Sequence, residues 1–381
     1  MVQLTRAIVT GIIGFLAGSA IAHPGHDVKA EAAERAAFLK KAPLKTRSLG
    51  QCSEVLRTRG HEAKNIDRRH ETVQRLRQKR GLERRTPHID TRDLDTALNT
   101  SHHSTLPVSP STDPEILFRS NSSCILGPDV TQGPYYVTGE LVRSNIVEDQ
   151  QGVPLYLDIQ LIDTNTCNPV PQVYIDIWHC NSTGVYSGVV ASGNGNSNDS
   201  SNIDSTFLRG IQKTDPSGVV EFETLFPGHY TGRATHIHVL SHAANGTVQF
   251  PNGTISGLYN TSSSHVGQLF FDQDLISQVE AVEPYSANTQ ELTTNADDDI
   301  LAEEADTIDP FVQYVLLGED ITDGIFAWIS FGIDATEDTT ITPAAYYTES
   351  GGVSNPDSGA GMGGSPPNGT ASSGPSSSSV A

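Results

Sequence analysis

Leu155, Leu157, Ile159 and Leu161 stand two residues apart in the stretch PLYLDIQLID. On an extended chain such residues share one face, whereas a helix would scatter them around its axis, so this run reads as a strand with one side in a core. The same texture recurs after about Cys124 in VYIDIWHC, GVVEFETLF, THIHVLSH, GQLFFD and GIFAWISFGID. Gly, Pro, Asn and Asp separate these runs, and Asp215-Pro216-Ser217-Gly218 has the composition of a turn. The expectation is an all-β sandwich or barrel spanning residues 101–345.

The flanking segments have a different character. Residues 1–22 carry an early positive charge at Arg6, an apolar run from Ala7 to Gly18 and Ala20-Ile21-Ala22 as a small-residue cleavage site, which reads as a secretory signal peptide. Residues 23–100 are charged and poor in aromatics, and helix formers dominate only in VLRTRGHEAKNIDRRHETVQRLRQKR. Ile66, Val73 and Leu76 form a thin apolar stripe there, predicting a surface helix or two without a core of their own. Lys79-Arg80 and Arg84-Arg85 leave open a pro-region removed at dibasic sites, with ordinary helix-surface charge as the other reading. Residues 350–381 are rich in Gly, Ser and Pro and cannot build a core, so a disordered tail is expected.

Charge divides the chain. Residues 1–100 hold 19 Lys+Arg against 11 Asp+Glu, and residues 101–381 hold 5 against 34. So acidic a main domain repels nucleic acid phosphates and anionic membranes, and neither is expected as a partner. Eight N-x-S/T triplets, at Asn99, Asn121, Asn181, Asn198, Asn245, Asn252, Asn260 and Asn368, agree with a secreted, extracellular glycoprotein. Cys52, Cys124, Cys167 and Cys180 then belong to an oxidising compartment and allow three pairings. Cys167 with Cys180 is the expected pair, because the two flank a short strand-bearing segment, which leaves Cys52 for Cys124.

The chemistry concentrates in PGHYTGRATHIHVLSH, residues 227–242. His236 and His238 share a strand face, with Ile237 turned to the other. Tyr230 follows a Pro227-Gly228 turn that can fold its phenol back over the strand, and Arg233 is free to turn in at a bend. Alone, H-x-H is equally at home as two hydrogen-bonded or surface imidazoles. Zinc favours thiolate, imidazole and carboxylate, and Fe(II) oxygenases commonly use two histidines and a carboxylate. Phenols beside imidazoles suit the hard, highly charged Fe(III), which best compensates the loss of a phenol proton, and that demands a second tyrosine. Tyr186 in WHCNSTGVYSG supplies it; a strand aromatic packed in a core is the plainer reading of that residue by itself.

Taken in order, TQGPYY, IDIWHCNSTGVYSG, LRGIQKTDPSGVVEFETLFPGHYTGRATHIHV and GQLFFD resemble the intradiol ring-cleavage dioxygenases, particularly their secreted fungal branch. The likeness covers roughly Cys124 to Asp274. It implies a β-sandwich catalytic domain with a helical N-terminal segment, and a ferric ion held by Tyr186, Tyr230, His236 and His238. It further implies Arg233 and Gln268 as residues acting beside the metal, and Tyr135, Tyr136 and Trp178 as pocket walls. The reaction implied is ring opening of a catechol-type substrate by O2, between the two hydroxylated carbons, to a cis,cis-muconate-type diacid, with Tyr230 leaving the metal and accepting a substrate proton. Residues 23–100 do not match the helical dimerisation segment of the bacterial catechol branch, which leaves a homodimer open.

Two readings from other classes stand beside this one. A catalytically silent β-sandwich binding carbohydrate would need exposed planar aromatics, yet aromatics make up 7% of the chain and cluster in the motifs above. A copper protein could chelate through His23 as a new N-terminus with His26 nearby, although no third histidine downstream matches that pattern.

Overall fold

The computed structural model describes residues 49–82, 123–125, 133–191, 193–242, 247–255, 262–263, 265–305, 309–336 and 339–358. The signal-like leader, His23, His26, Arg84-Arg85 and the tail beyond residue 358 lie outside them.

Strands dominate. One sheet runs β1 (Ser123–Ile125), β11 (Ile325–Ile333), β3 (Pro154–Asp163), β6 (Val219–Leu225). β10 (Gln313–Leu316) shares the far edge of β11 with β1, pairing Ile325 to Trp328 while β1 pairs Ser330 to Gly332. β3 is parallel to β11 and antiparallel to β6. A second, wholly antiparallel sheet runs β5 (Arg209–Lys213), β4 (Tyr174–Trp178), β7 (His236–His242), β9 (His265–Phe270). Two small sheets complete the set: β2 (Val137–Thr138) with β13 (Ala345–Thr348) and β14 (Gly351–Ser354), and β8 (Ser262–Ser263) with β12 (Thr339–Thr340).

The two large sheets put their facing side chains into one apolar cluster. Leu155, Leu157, Ile159 and Leu161 enter it from β3, as their spacing predicts, and meet Ile175, Ile177, Ile237, Val239 and Leu269 from the second sheet. All nine are essentially inaccessible to water, and each contributes about 1.5–3 kcal/mol relative to exposure.

The other face of β3 is buried as well, which alternation alone does not anticipate. Helix α1 (Ser53–Thr58) leads into α2 (His61–Lys79), and α2 lies across the outer face of the first sheet. Its stripe of Ile66, Val73 and Leu76 packs on Tyr156, Val315, Leu317, Phe326 and Trp328. Asp158 faces the helix at zero exposure and binds Arg68 through both oxygens, at 2.9 and 3.0 Å. Arg69, also fully buried, lies 3.5 Å from the same carboxylate and stacks over Trp328. Burial lowers the Arg69 guanidinium to about 10, far enough above neutrality to keep its charge. Asn65 and Gln160 exchange hydrogen bonds at 2.6 and 3.2 Å. Lys79 and Arg80, half of the dibasic reading, bind Glu223 and the carbonyl of Asp323. Loss of this segment uncovers Phe326 and Trp328 and leaves the Asp158 charge unpaired, a combination that is strongly destabilising. Two short helices follow β9: α3 (Gln273–Glu280), which adds Leu275, Ile276 and Val279 to the core between the sheets, and α4 (Asp299–Ala305).

The expected disulfide is overturned. Cys167 bonds Cys52, with Cα atoms 5.2 Å apart, and neither the Cys167–Cys180 nor the Cys52–Cys124 pairing forms. Cys167 lies at the turn after β3, where Leu49, Cys52 and Leu56 of the N-terminal segment pack on Ile162 and Gln51 donates to the Thr164 carbonyl. Nearness in sequence misleads here because a distant segment reaches Cys167. Cys180 is a buried free thiol whose Sγ donates to the Gly228 carbonyl at 3.1 Å.

Peptide mapping without reduction is expected to return a Cys52–Cys167 peptide and an alkylatable Cys180 only after unfolding. The bridge closes a separation of 115 residues, so Cys52→Ser should destabilise the protein by about 4 kcal/mol in chemical denaturation.

Candidate metal and active site

β7 carries the site because of its pleat. Ile237 and Val239 are committed to the core between the sheets, so His236 and His238 face the opposite side. Trp178 of β4 and Gln268 of β9 stand opposite His238 in register, and Phe270 stands opposite His236. Trp178 stacks flat on the His238 ring, with centroids 4.8 Å apart and planes within 2°.

Thr231-Gly232 forms the bend that precedes β7. It pairs Tyr230 with Arg233 as an isolated bridge, and Gly232 adopts a φ of 93° that few other residues tolerate. The Tyr230 phenol thus folds back to within 3.4 Å of His236 Nε2. Tyr186 arrives from the segment after β4. Gly228 allows the two tyrosine-bearing segments to touch, since a Cβ there would collide with the carbonyl of Asn181.

The four side chains close a circuit. Ring centroids are 5.6 Å apart for Tyr186 and Tyr230, 5.8 Å for Tyr230 and His236, 4.7 Å for His236 and His238, and 6.0 Å for His238 and Tyr186. His236 Nδ1 lies 2.6 Å from the Ala234 carbonyl and must donate to it, because a carbonyl only accepts. The Nε2 lone pair is therefore presented to the circuit, 3.1 Å from His238 Nε2. Burial, and then the charge of Arg233, lower the His236 imidazole to about 3, so it is neutral at any ordinary pH.

Both phenols are pushed well above their usual range. For Tyr186 burial is the main cause, followed by Tyr230 and Cys180; for Tyr230 burial outweighs the opposing pull of Arg233. A phenolate here therefore requires a cation at the centre of the circuit. Several buried polar atoms at the site lack hydrogen-bond partners: the hydroxyl of Tyr135, Nε2 of Gln268 and Nε1 of Trp178. The two imidazole Nε2 atoms, 3.1 Å apart, also fit neighbouring ligands of one ion, which lie about 3 Å apart for metal–nitrogen bonds of about 2.1 Å. The donor set thus fits a hard trivalent metal. Among the described residues no group of three or more His, Cys, Asp or Glu is placed to hold one, so a metal site here requires the phenols.

The remaining expected residues fall into place around the circuit. Tyr135 packs on Tyr186 at 4.7 Å, and Tyr136 on Trp178 at 5.0 Å. Arg233 and Gln268, 35 residues apart in sequence, meet with the guanidinium donating to Oε1 at 2.5 Å. Only the pair Cys167 and Cys180 is not brought together.

Other residues at the site were not singled out from the sequence. Asn194 spans Tyr186, its Oδ1 accepting from the Tyr186 amide and its Nδ2 donating to the Tyr186 carbonyl, both at 2.7 Å. Asn202 donates to the same carbonyl at 2.8 Å. Arg209 donates to the Ser187 carbonyl at 3.0 and 2.6 Å, with buried Glu140 3.8 Å away. Burial, offset in part by Arg209, pushes the Glu140 carboxyl up to about 8. Asp298 accepts from Arg233 Nε at 2.9 Å and from the Ala234 amide at 2.8 Å. The two asparagines sit in ASGNGNSNDSSNID, which looks like a polar connection, and Asp298 is the middle of three aspartates. Only Arg209 left a signal, as one of five basic residues beyond residue 100.

Comparison with known proteins adds the family. A family model described as Dioxygenase matches residues 125–304. Among solved structures, an intradiol ring-cleavage dioxygenase from Tetranychus urticae is 32% identical, over 56% of this chain and 97% of that one, with a TM-score of 0.45. Catechol 1,2-dioxygenase from Pseudomonas arvilla C-1 is 16% identical over 53% of this chain and 60% of that one, with a TM-score of 0.32. Hydroxyquinol 1,2-dioxygenase from Pseudomonas putida DLL-E4 is 17% identical over 57% and 69%, with a TM-score of 0.31. No curated protein matches. With 32% identity sustained along nearly the whole of the Tetranychus urticae enzyme, and the family model lying across β2 to β9, the chain belongs to the intradiol ring-cleavage dioxygenases.

Proposed function

We propose that this protein is a secreted Fe(III) dioxygenase that opens the ring of a catechol-type substrate between its two hydroxylated carbons. Both atoms of O2 enter the product, a cis,cis-muconate-type diacid. The observation that carries the reading is the closed circuit of two buried phenols and two buried imidazoles, with the His236 lone pair turned into it. Tyr186, Tyr230, His236 and His238 are the residues that would hold the metal. When bound, a ferric ion supplies the Lewis acidity that makes two phenols and a catechol give up protons in a buried site, and the electron-accepting character that prepares the ring for O2.

The chain's own residues divide the remaining work. Tyr186 is tied at both backbone groups by Asn194 and Asn202, which suits a ligand that stays in place. Tyr230 sits on a two-residue bend and has Arg233 nearby, which suits a phenolate that swings away and receives a substrate proton at Oη. Arg233 holds a fixed positive charge where the deprotonated substrate ring gathers negative charge, and a buried site makes that charge count for more than it does in water. Tyr135, Tyr136 and Trp178, all about 1% exposed, wall the site from water.

Secretion is supported by the leader-like residues 1–22 and by the Cys52–Cys167 bridge, which belongs in an oxidising compartment. Among the sequons in the described residues, Asn198 and Asn252 are exposed. Asn181 is half-buried, and its Nδ2 donates to Gln150 at 3.0 Å, so a glycan there would break that contact.

The purified protein should carry iron and a red to brown colour from tyrosinate-to-Fe(III) charge transfer, and the colour should change when catechol is added. A colourless protein fully loaded with zinc rejects the proposal. Tyr230→Phe is expected to retain iron yet lose turnover on the order of 100-fold, by removing a proton acceptor, while His236→Ala should lose the iron itself. Iron content, visible spectra and oxygen consumption against a panel of catechols separate these outcomes.

Asn194→Ala should cost about 2 kcal/mol in chemical denaturation, because it strips the buried Tyr186 amide of its acceptor and leaves the Tyr186 carbonyl to Asn202. It should also shift the charge-transfer band, since the Tyr186 backbone is then free to relax.

A further inference from the structure

Asp298 occupies a position that neither the motifs nor the ligand set accounts for. It is 1% exposed, and its two oxygens serve different elements. Oδ1 accepts from the amides of Ile300 and Leu301, at 2.8 and 3.1 Å, and so caps the first turn of α4. Oδ2 accepts from Arg233 Nε at 2.9 Å and from the Ala234 amide at 2.8 Å. The Ala234 carbonyl in turn receives the His236 Nδ1 proton, and Arg233 donates onward to Gln268. One carboxylate thus ties α4, the guanidinium and the backbone leading into β7.

We propose that Asp298 is the positioning residue for Arg233, aiming its guanidinium at the phenol and imidazole circuit while neutralising its charge within the protein. The inference rests on the active-site reading above. Arg233 and Asp298 are both at zero side-chain exposure, where a lone charge is costly and a hydrogen-bonded pair is tolerated. Their pairing means that Arg233 acts through its position and not as a surplus positive charge. Gln268 fixes the other end of the guanidinium, so the group cannot swing without losing a contact at Nε or at Nη2.

Asparagine exposes the role because it resembles aspartate in shape and also caps helices well. All four donors facing Asp298 are N–H groups. An asparagine in its place that turns its oxygen to Ile300 and Leu301 must turn its NH2 toward Arg233 Nε and the Ala234 amide, donor against donor. Asp298→Asn therefore keeps the cap of α4 and releases Arg233.

The test uses Asp298→Asn and Arg233→Leu, singly and together, in the full chain. Whatever the iron content, hydrogen exchange at the Ala234 amide should accelerate in Asp298→Asn while the Leu301 amide stays protected. The two substitutions should also be non-additive in chemical denaturation. In iron-loaded protein, Asp298→Asn should keep its visible band and bind catechol, yet show a single-turnover rate lower by about 10-fold or more, and the double variant should be no slower than Arg233→Leu alone. Wild-type turnover in Asp298→Asn, or losses that multiply in the double variant, overturns the positioning role, as does unchanged exchange at Ala234. Should Asp298→Asn fail to fold, Asp298→Ser, another cap former, is read by the same criteria. A wild-type protein that holds no iron or opens no catechol ring refutes the proposed function instead, and the exchange and denaturation measurements still decide whether Asp298 clamps Arg233.

Discussion

The pleat of β7 is the constraint from which the rest of the site follows. Ile237 and Val239 are locked into the core shared by the two large sheets, and that commitment points His236 and His238 the other way. A slip of one residue would bury both imidazoles in the apolar core and turn two aliphatic side chains to the site. The register with β4 and β9 then sets the flanks, placing Trp178 and Gln268 on either side of His238. Apolar burial, a force with no direction of its own, thereby fixes the aim of polar groups to within hydrogen-bonding distance of one another.

Placing so much polar chemistry in a dry site creates a charge problem, and the fold answers it in two ways. Permanent charges come in pairs: Arg233 with Asp298 and, on the far side of the first sheet, Arg69 with Asp158. The phenols of Tyr186 and Tyr230 instead stay neutral, because burial drives their acidity down. That asymmetry makes the circuit responsive to a highly charged cation, which supplies what the protein withholds. A site in which every group were already satisfied would have little reason to bind one.

The N-terminal helices solve a different problem. β3 and β11 are buried on both faces, so a two-sheet core leaves Tyr156, Phe326 and Trp328 in need of cover. Helix α2 supplies that cover with three apolar residues and a row of arginines and amides matched to Asp158 and Gln160. The Cys52–Cys167 bridge anchors the start of this segment to the turn beyond β3. A segment with little apolar surface of its own is thus an integral layer, because the hydrophobic face that it needs belongs to the sheet.

The local features were legible in the residues themselves. Period two in PLYLDIQLID and THIHVLSH determined strands and the faces of Leu155 to Leu161 and of His236 and His238, because alternation is a property of the extended backbone alone. The motifs around Tyr186, Tyr230, Arg233 and Gln268 pointed to a candidate site through their resemblance to a family, and the fold brings those side chains together. What the chain alone did not reveal depends on which distant segments meet. The partner of Cys167 is Cys52 because the N-terminal segment folds back onto the turn after β3. Asp298 rather than its neighbours reaches Arg233 because the start of α4 happens to lie there, and Asn194 and Asn202 matter because a polar loop folds back onto the Tyr186 backbone. Polar side chains in loops have no periodicity to betray them, and their partners are chosen by tertiary geometry, where burial turns an ordinary hydrogen bond into one that the structure cannot lose.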